Sequence, residues 1–218
     1  MPDHPVFAAA YDRITAPMEK RVLGAARRRL LARARGRVLE VGAGTGANLA
    51  HYPRSGAVTA LDMAEPDGAM RRRLAAKVDA AALPFPVFVH DAGAEGPFPS
   101  APYDTVVSTL VLCAVPDPAS AVAAIVAALA EGAEVLYIEH VAAGGLKGRV
   151  QSAMNGPWGA IAGGCTLDRD TLATMRAGGL FAAEQDWVDL PFPLSATTVG
   201  AARLRLRGGS VEGVPAPG

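Results

Sequence analysis

Val38-Leu39-Glu40-Val41-Gly42-Ala43-Gly44-Thr45-Gly46 decides the fold of this chain. The short apolar run Arg37–Val41 leads straight into glycines at alternate positions, as a buried parallel strand does where it turns beneath a ligand. Glycine there reaches backbone angles closed to other residues and lets a ligand approach the main chain. The spacing alone leaves the ligand open, because Gly42-x-Gly44-x-x-Ala47 also satisfies the dinucleotide fingerprint, which tolerates alanine at its third position. Acids at three places separate the alternatives. Glu40 lies two residues before Gly42, where a dinucleotide site usually carries an apolar residue; its carboxylate can order the turn and approach a cationic amino group. An acid after the second strand can accept from both hydroxyls of a ribose. His90-Asp91-Ala92 closes the third strand, where a carboxylate can accept from an adenine amino group.

The ribose acid has two candidates. Asp62 stands twenty residues after Gly42, while Glu65 begins Glu65-Pro66-Asp67-Gly68-Ala69-Met70. Val58–Leu61 makes the cleaner strand and favours Asp62.

Outward from this centre, residues 1–34 read as a helical cap. Ala8–Ile14 predicts a short helix and Met18–Ala34 a longer one whose basic run (Lys20, Arg21, Arg27, Arg28, Arg29) reads as a solvated face. Strands are expected over Ala57–Leu61, Val87–His90, Tyr103–Ser108 and Glu134–Glu139, and helices over Gly68–Val78 and Pro118–Leu129. That alternation argues for a parallel sheet covered on both faces. The last third breaks the rhythm. Lys147–Ile161 reads as an irregular helical insert interrupted by Asn155-Gly156-Pro157, and Asp168–Arg176 as a helix with Asp168 near its start. Phe181–Leu190 and Thr197–Leu206 form a hairpin, and residues 208–218, rich in Gly and Pro, read as a disordered tail.

Composition narrows the function. Half of the 218 residues are hydrophobic, enough for one domain with a sizeable core. A formal net charge of zero argues against nucleic acid as a partner. Met1-Pro2-Asp3-His4-Pro5 lacks the look of a secretory signal, and no stretch nears the roughly 18 apolar residues of a membrane span. The two cysteines, Cys113 and Cys165, make neither a spaced metal cluster nor a disulfide framework. A cytoplasmic protein is expected, with no membrane anchor and no metal, acting as a monomer or homodimer on a small molecule.

These motifs resemble a known group. Val38–Asn48 with Tyr52-Pro53, then Ser108-Thr109-Leu110-Val111-Leu112-Cys113, then Glu139-His140-Val141, look like the small UbiE-type class I methyltransferases. Pro157-Trp158 and Gly164-Cys165-x-Leu167-x-Arg169 extend the likeness toward the branch whose animal members are thiol S-methyltransferases. Two departures are visible: the animal enzymes' N-terminal membrane-anchoring segment is absent, and Ala43 stands where many relatives have cysteine. The resemblance implies a Rossmann-like α/β sheet of seven strands, in the order 3-2-1-4-5-7-6 with strand seven antiparallel. It also implies S-adenosylmethionine as cofactor, lying across the carboxyl ends of strands one to four. Its binding surface would comprise Glu40, Gly42, Ala43, Gly44, Gly46, Asn48, Asp62 or Glu65, Asp91, Ala92, Thr109 and Leu110, with Tyr11 and Asp12 closing over it.

Methyl transfer is an in-line displacement in which the protein mainly aligns the nucleophile. A thiol acceptor is favoured, since its pKa near ~8.5 leaves it needing little help; hydroxyl and amine acceptors of quinone, lipid or secondary-metabolite type come next. His140, after the fifth strand, is the candidate general base. Trp158 and Cys165 are candidates for the acceptor pocket, each with packing as its plainer role, and residues 144–161 for a substrate lid. A nicotinamide-dependent oxidoreductase and a catalytically silent cofactor binder are the rival classes.

Overall fold

Alternation within Gly36–Val41 (β1) fills the two faces of the sheet. Val38 joins one apolar core, while Leu39 and Val41 join another. The computed structural model describes residues 3–188 and 190–204, apart from the side chains of residues 160 and 161. Its other strands are Val58–Ala64 (β2), Val87–His90 (β3), Tyr103–Thr109 (β4), Leu129–His140 (β5), Leu180–Val188 (β6) and Thr197–Leu204 (β7). They form one sheet in the order β3-β2-β1-β4-β5-β7-β6. All pairings are parallel except those of β7, which runs antiparallel to both β5 and β6. The expected order and the expected final hairpin are therefore both present. Chain order reverses between β1 and β4, and ligands of such sheets bind at the carboxyl ends beside that switch.

Helices cover both faces. Pro5–Met18 (α1) runs through a π turn at Glu19–Leu23 into Gly24–Leu31 (α2), so the two expected N-terminal helices are one bent arm. Gly68–Ala81 (α3) starts at Asp67, whose side chain accepts from the Met70 N–H. Pro118–Ala127 (α4) starts at Asp117 with proline in its first turn, where a missing N–H costs nothing.

Three expectations change. β2 continues past Leu61 to Ala64, because the one charged residue in its way, Asp62, is fully paired inside the sheet. The stretch around Asn155-Gly156-Pro157 does not interrupt the chain: Gly145–Ile161 (α5) is one helix, and Asn155 Oδ1 accepts the Leu167 N–H at 2.7 Å. Thr171–Ala177 (α6) is capped by Asp170, which accepts from Ala173 N–H, and not by Asp168. Residues 208–218, and the expected end of the hairpin at Leu206, lie outside the described residues. Among the described residues, no helix is long and apolar enough to cross a membrane, and no group of His, Cys, Asp and Glu is placed to hold a metal ion.

Candidate active site

Each glycine of the turn after β1 answers a different demand. At Gly42 (φ +60°) a Cβ would fall 2.6 Å from the Val111 side chain, and at Gly46 (φ +82°) it would strike Leu49 and Leu74. At Gly44 (φ +56°) it would meet nothing within 4 Å. The first and last glycines admit neighbouring protein; the middle one borders open space. That space is the cradle a cofactor requires. Ala43 is buried, with its N–H on the Ala64 carbonyl.

No α-helix follows the turn. The chain makes one 3-10 turn, Leu49–His51, before Tyr52-Pro53. A dinucleotide fold holds its pyrophosphate on a helix N-terminus at this position, and that element is missing here.

Beneath the turn lies a buried polar network. Glu40 is 1% exposed; its carboxylate accepts from Asn48 Nδ2 at 3.0 Å and from the Tyr52 hydroxyl at 2.7 Å. Burial pushes the Glu40 pKa up to about 7, against the opposing pull of Tyr52, Asn48 and Arg27. Arg27, read from sequence as part of a solvated face, is 3% exposed. It donates to Glu19 through Nε and Nη2, and through Nη1 to Asn48 Oδ1 (2.8 Å) and Thr109 Oγ1 (3.0 Å). Thr109 also accepts from Asn48 Nδ2. The sequence did carry a signal: Leu23, Ala26, Arg27, Leu30 and Leu31 share one helical stripe, and that stripe is the buried one.

The acids after β2 and β3 sort themselves by exposure. Asp62 sits within β2 at 0% exposure, holding Arg37 Nε at 3.2 Å and His90 Nε2 at 2.6 Å. It does not present its carboxylate at the strand end, contrary to expectation. Glu65 does: it follows Ala64 directly and accepts from the Gly44 N–H at 2.7 Å and the Asp67 N–H at 2.8 Å. Burial raises its pKa despite those bonds. Asp91, next to Ala92 beyond β3, is exposed and pairs with Arg71 at 3.0 Å.

The arm α1 crosses the site. Asp12 accepts from the Thr45 hydroxyl of the glycine turn at 2.5 Å and from Lys77 Nζ at 2.8 Å. Tyr11 packs edge-on against Phe7; its pKa is raised, chiefly by burial, and the charges of Arg27, Glu19 and Cys113 act on it.

On the other side of the switch, Leu110 follows β4 in the left-handed region (φ 61°), with its N–H on the Ile138 carbonyl. Glu139 Oε1 accepts from the Ser108 hydroxyl and the N–H groups of Val111 and Leu112, and so organises this loop. His140 is fully buried rather than on an open rim. Gln151, also buried, places its Oε1 on the Ala143 N–H and its Nε2 on both the Pro193 carbonyl (2.7 Å) and His140 Nε2 (3.3 Å). His140 Nε2 therefore faces the Gln151 amide, and the Pro193 carbonyl also lies on the ring. Burial lowers the His140 pKa, against the opposing pull of the Pro193 carbonyl. The buried Nδ1 of His140 has no hydrogen-bond partner, and the buried Trp158 indole faces the Cys165 thiol. Trp158 belongs to α5, as Gln151 does, and lies beside the half-buried Cys165.

The family described as a methyltransferase domain matches residues 14–177. A phosphatidylethanolamine N-methyltransferase of Cereibacter sphaeroides is 35% identical over 108 residues, which are 49% of this chain and 52% of that one. The chain thus spans about half the length of this curated relative. A Haloferax volcanii putative methyltransferase complex with the Trm112 activator superposes with a TM-score of 0.65 at 20% identity, covering 91% of this chain and 97% of that one. An O-methyltransferase from neocarzinostatin biosynthesis, solved with S-adenosylmethionine and a hydroxynaphthoic acid, gives 0.65 at 19%, covering 92% and 58%. At such identities these structures are likenesses of fold.

Proposed function

The chain belongs to the methyltransferase domain family, and we propose that within it the acceptor is a small thiol, methylated on sulfur. S-adenosylmethionine is the donor; when bound, it supplies a methyl group made electrophilic by a sulfonium. The residues present fit it. Glu65 takes the ribose hydroxyls and Asp91 the adenine amino group, while the open space at Gly44 lets the ligand reach the main chain. Glu40, its partner Asn48, and Thr109 form the floor under the amino-acid end, where a buried carboxylate attracts a cation and repels a pyrophosphate. Tyr11 and Leu110 flank it.

One observation supports the thiol reading: Pro157-Trp158 and Gly164-Cys165-x-Leu167-x-Arg169, the motifs that resemble the thiol S-methyltransferase branch, come together where the Trp158 indole meets Cys165. His140 is fully buried with its Nε2 against the Gln151 amide, which is not the setting of an open general base. The site therefore suits an acceptor that ionises without a base. A thiol near ~8.5 supplies more of its anion at neutral pH than a phenol near ~10.

A tritiated-methyl assay across thiol, phenol and amine panels tests this. Thiols should turn over fastest. Labelling of an amine or phenol with thiols left unmodified would overturn it. The amine reading has one specific support, the Cereibacter relative that acts on phosphatidylethanolamine, and the panel should include that lipid.

A further inference from the structure

The site leaves one pair of nucleophiles unused. Cys113, at the end of the loop after β4, and Cys165, in the loop after α5, have their sulfurs 3.7 Å apart and hydrogen-bonded as free thiols. Their backbones also meet, since the Thr166 N–H donates to the Cys113 carbonyl at 2.8 Å. Closing to the covalent S–S spacing of about 2.0 Å asks little of chains already this near. We propose that Cys113 and Cys165 are a peroxide-responsive dithiol, whose oxidation to a disulfide ties the loop after α5 to the loop after β4.

The two sulfurs are not equivalent. Cys113 is 1% exposed, whereas Cys165 is only half-buried and meets an oxidant first. The hydrogen bond with Cys113, then the Trp158 indole and the charge of Arg169, pull the Cys165 thiol below its ordinary pKa; the same bond and burial push Cys113 up. Cys165 is thus the attacking sulfur and Cys113 the resolving one. In the first step the Cys165 thiolate attacks one peroxide oxygen, the O–O bond breaks, and hydroxide leaves a sulfenic acid. In the second, the Cys113 sulfur attacks that sulfenic sulfur, the S–O bond breaks, and the oxygen departs as water with the Cys113 proton. Two thiols and one hydrogen peroxide give one disulfide and two waters.

Two features make the location consequential. Gly163 (φ +64°) and Gly164 (φ +86°) join α5 to Cys165, so a bond at Cys165 fixes the far end of a two-glycine joint. The loop it would be fixed to is itself rigid, since Glu139 holds the N–H groups of Val111, Leu112 and Cys113. Oxidation therefore immobilises α5, the helix that carries Gln151 and Trp158.

The test is thiol chemistry on the whole protein and does not depend on methyl transfer, so its failure and that of the thiol-acceptor reading are distinguishable. After one equivalent of hydrogen peroxide, titratable thiols should fall from two to none, intact mass should drop by the two hydrogens lost (~2 Da), and dithiothreitol should restore both. With dimedone present, Cys113→Ser should trap a labelled Cys165 and Cys165→Ser should take up no label. Hydrogen exchange in α5 should slow in the oxidised protein. Thiols that persist, a disulfide found only between two chains, or dimedone on Cys113 in preference to Cys165 would each overturn the proposal.

Discussion

Glu40 is a carboxylate whose pKa burial has raised from 4.5 to about 7, and this gives the site a pH dependence of known sign. A folded-state pKa above the unfolded value means that the stability is fully present below the unfolded pKa and is lost as pH rises through 7, since the unfolded chain ionises first. The ligand-free protein should therefore lose stability between about pH 4.5 and 7 at this residue, and urea melts of Glu40→Gln should show a flatter slope. Binding runs the other way. A cationic ligand prefers the ionised form, so calorimetric affinity for S-adenosylhomocysteine should tighten from pH 6 to 7.5, and Glu40→Gln should weaken it about tenfold or more while removing that trend. The glycines separate stability from binding. Gly42→Ala meets both a left-handed φ and the Val111 side chain at 2.6 Å and should cost about 2–4 kcal/mol. Gly44→Ala bears the strain alone, about 1–2 kcal/mol, yet should lose far more cofactor affinity. His140→Phe removes a ring that is not the base in this reading, so the rate should fall by far less than the ~10²–10⁴-fold expected on losing a general base. The wild-type pH profile should rise with the acceptor thiol and show no histidine limb; a limb near ~6.5 that vanishes in the variant would restore His140 as a base.

At the scale of elements, the arm formed by α1, the π turn and α2 holds the site together from outside the sheet. Arg27→Met would strand Asn48, Thr109 and the partly buried Glu19, and should cost about 2–4 kcal/mol in denaturant melts. Arg28→Met, on the exposed face of the same helix, should change stability within about 0.5 kcal/mol. Much of this architecture was legible in the sequence. Strand-and-helix alternation yielded the sheet and its hairpin, because apolar periodicity is local and each strand here is bounded by turn residues. What stayed hidden depended on partners distant in sequence. Asp62 looked like a strand terminus because a carboxylate rarely lies inside a sheet, and only Arg37 and His90 make that place tolerable. Asn155-Gly156-Pro157 looked like a break because the contact to Leu167 was invisible. Arg27 was counted with its basic neighbours, although its phase on the helix set it apart. His140, expected just after the fifth strand, is the last residue of β5, and its ring meets Gln151, eleven residues further on.

For the molecule as a whole, the cofactor is part of the fold's stability. A ligand that binds only the folded state adds about 2.7 kcal/mol at a hundred times its Kd, and a chain of this length gains about 2–4 °C per kcal/mol. Thermal melts with saturating S-adenosylhomocysteine should therefore rise by about 5–10 °C, while NAD, lacking a helix N-terminus for its phosphates, should leave Tm unmoved. A shift with NAD alone would contradict the assignment. If α1 closes over the cofactor, as the resemblance implies, the arm also sets a clock. Asp12 bridges the glycine turn and Lys77, and the latter pair is 37% and 42% exposed. Such contacts weaken with ionic strength, whose screening length is about 8 Å at physiological salt. Spent donor trapped beneath α1 should escape faster as salt is added, and faster again in Asp12→Asn, with the methyl-transfer step itself unchanged in single-turnover measurements. Throughput would then be governed by residence time rather than chemistry, so the ionic composition around the protein, as much as its acceptor, would decide how often it can fire.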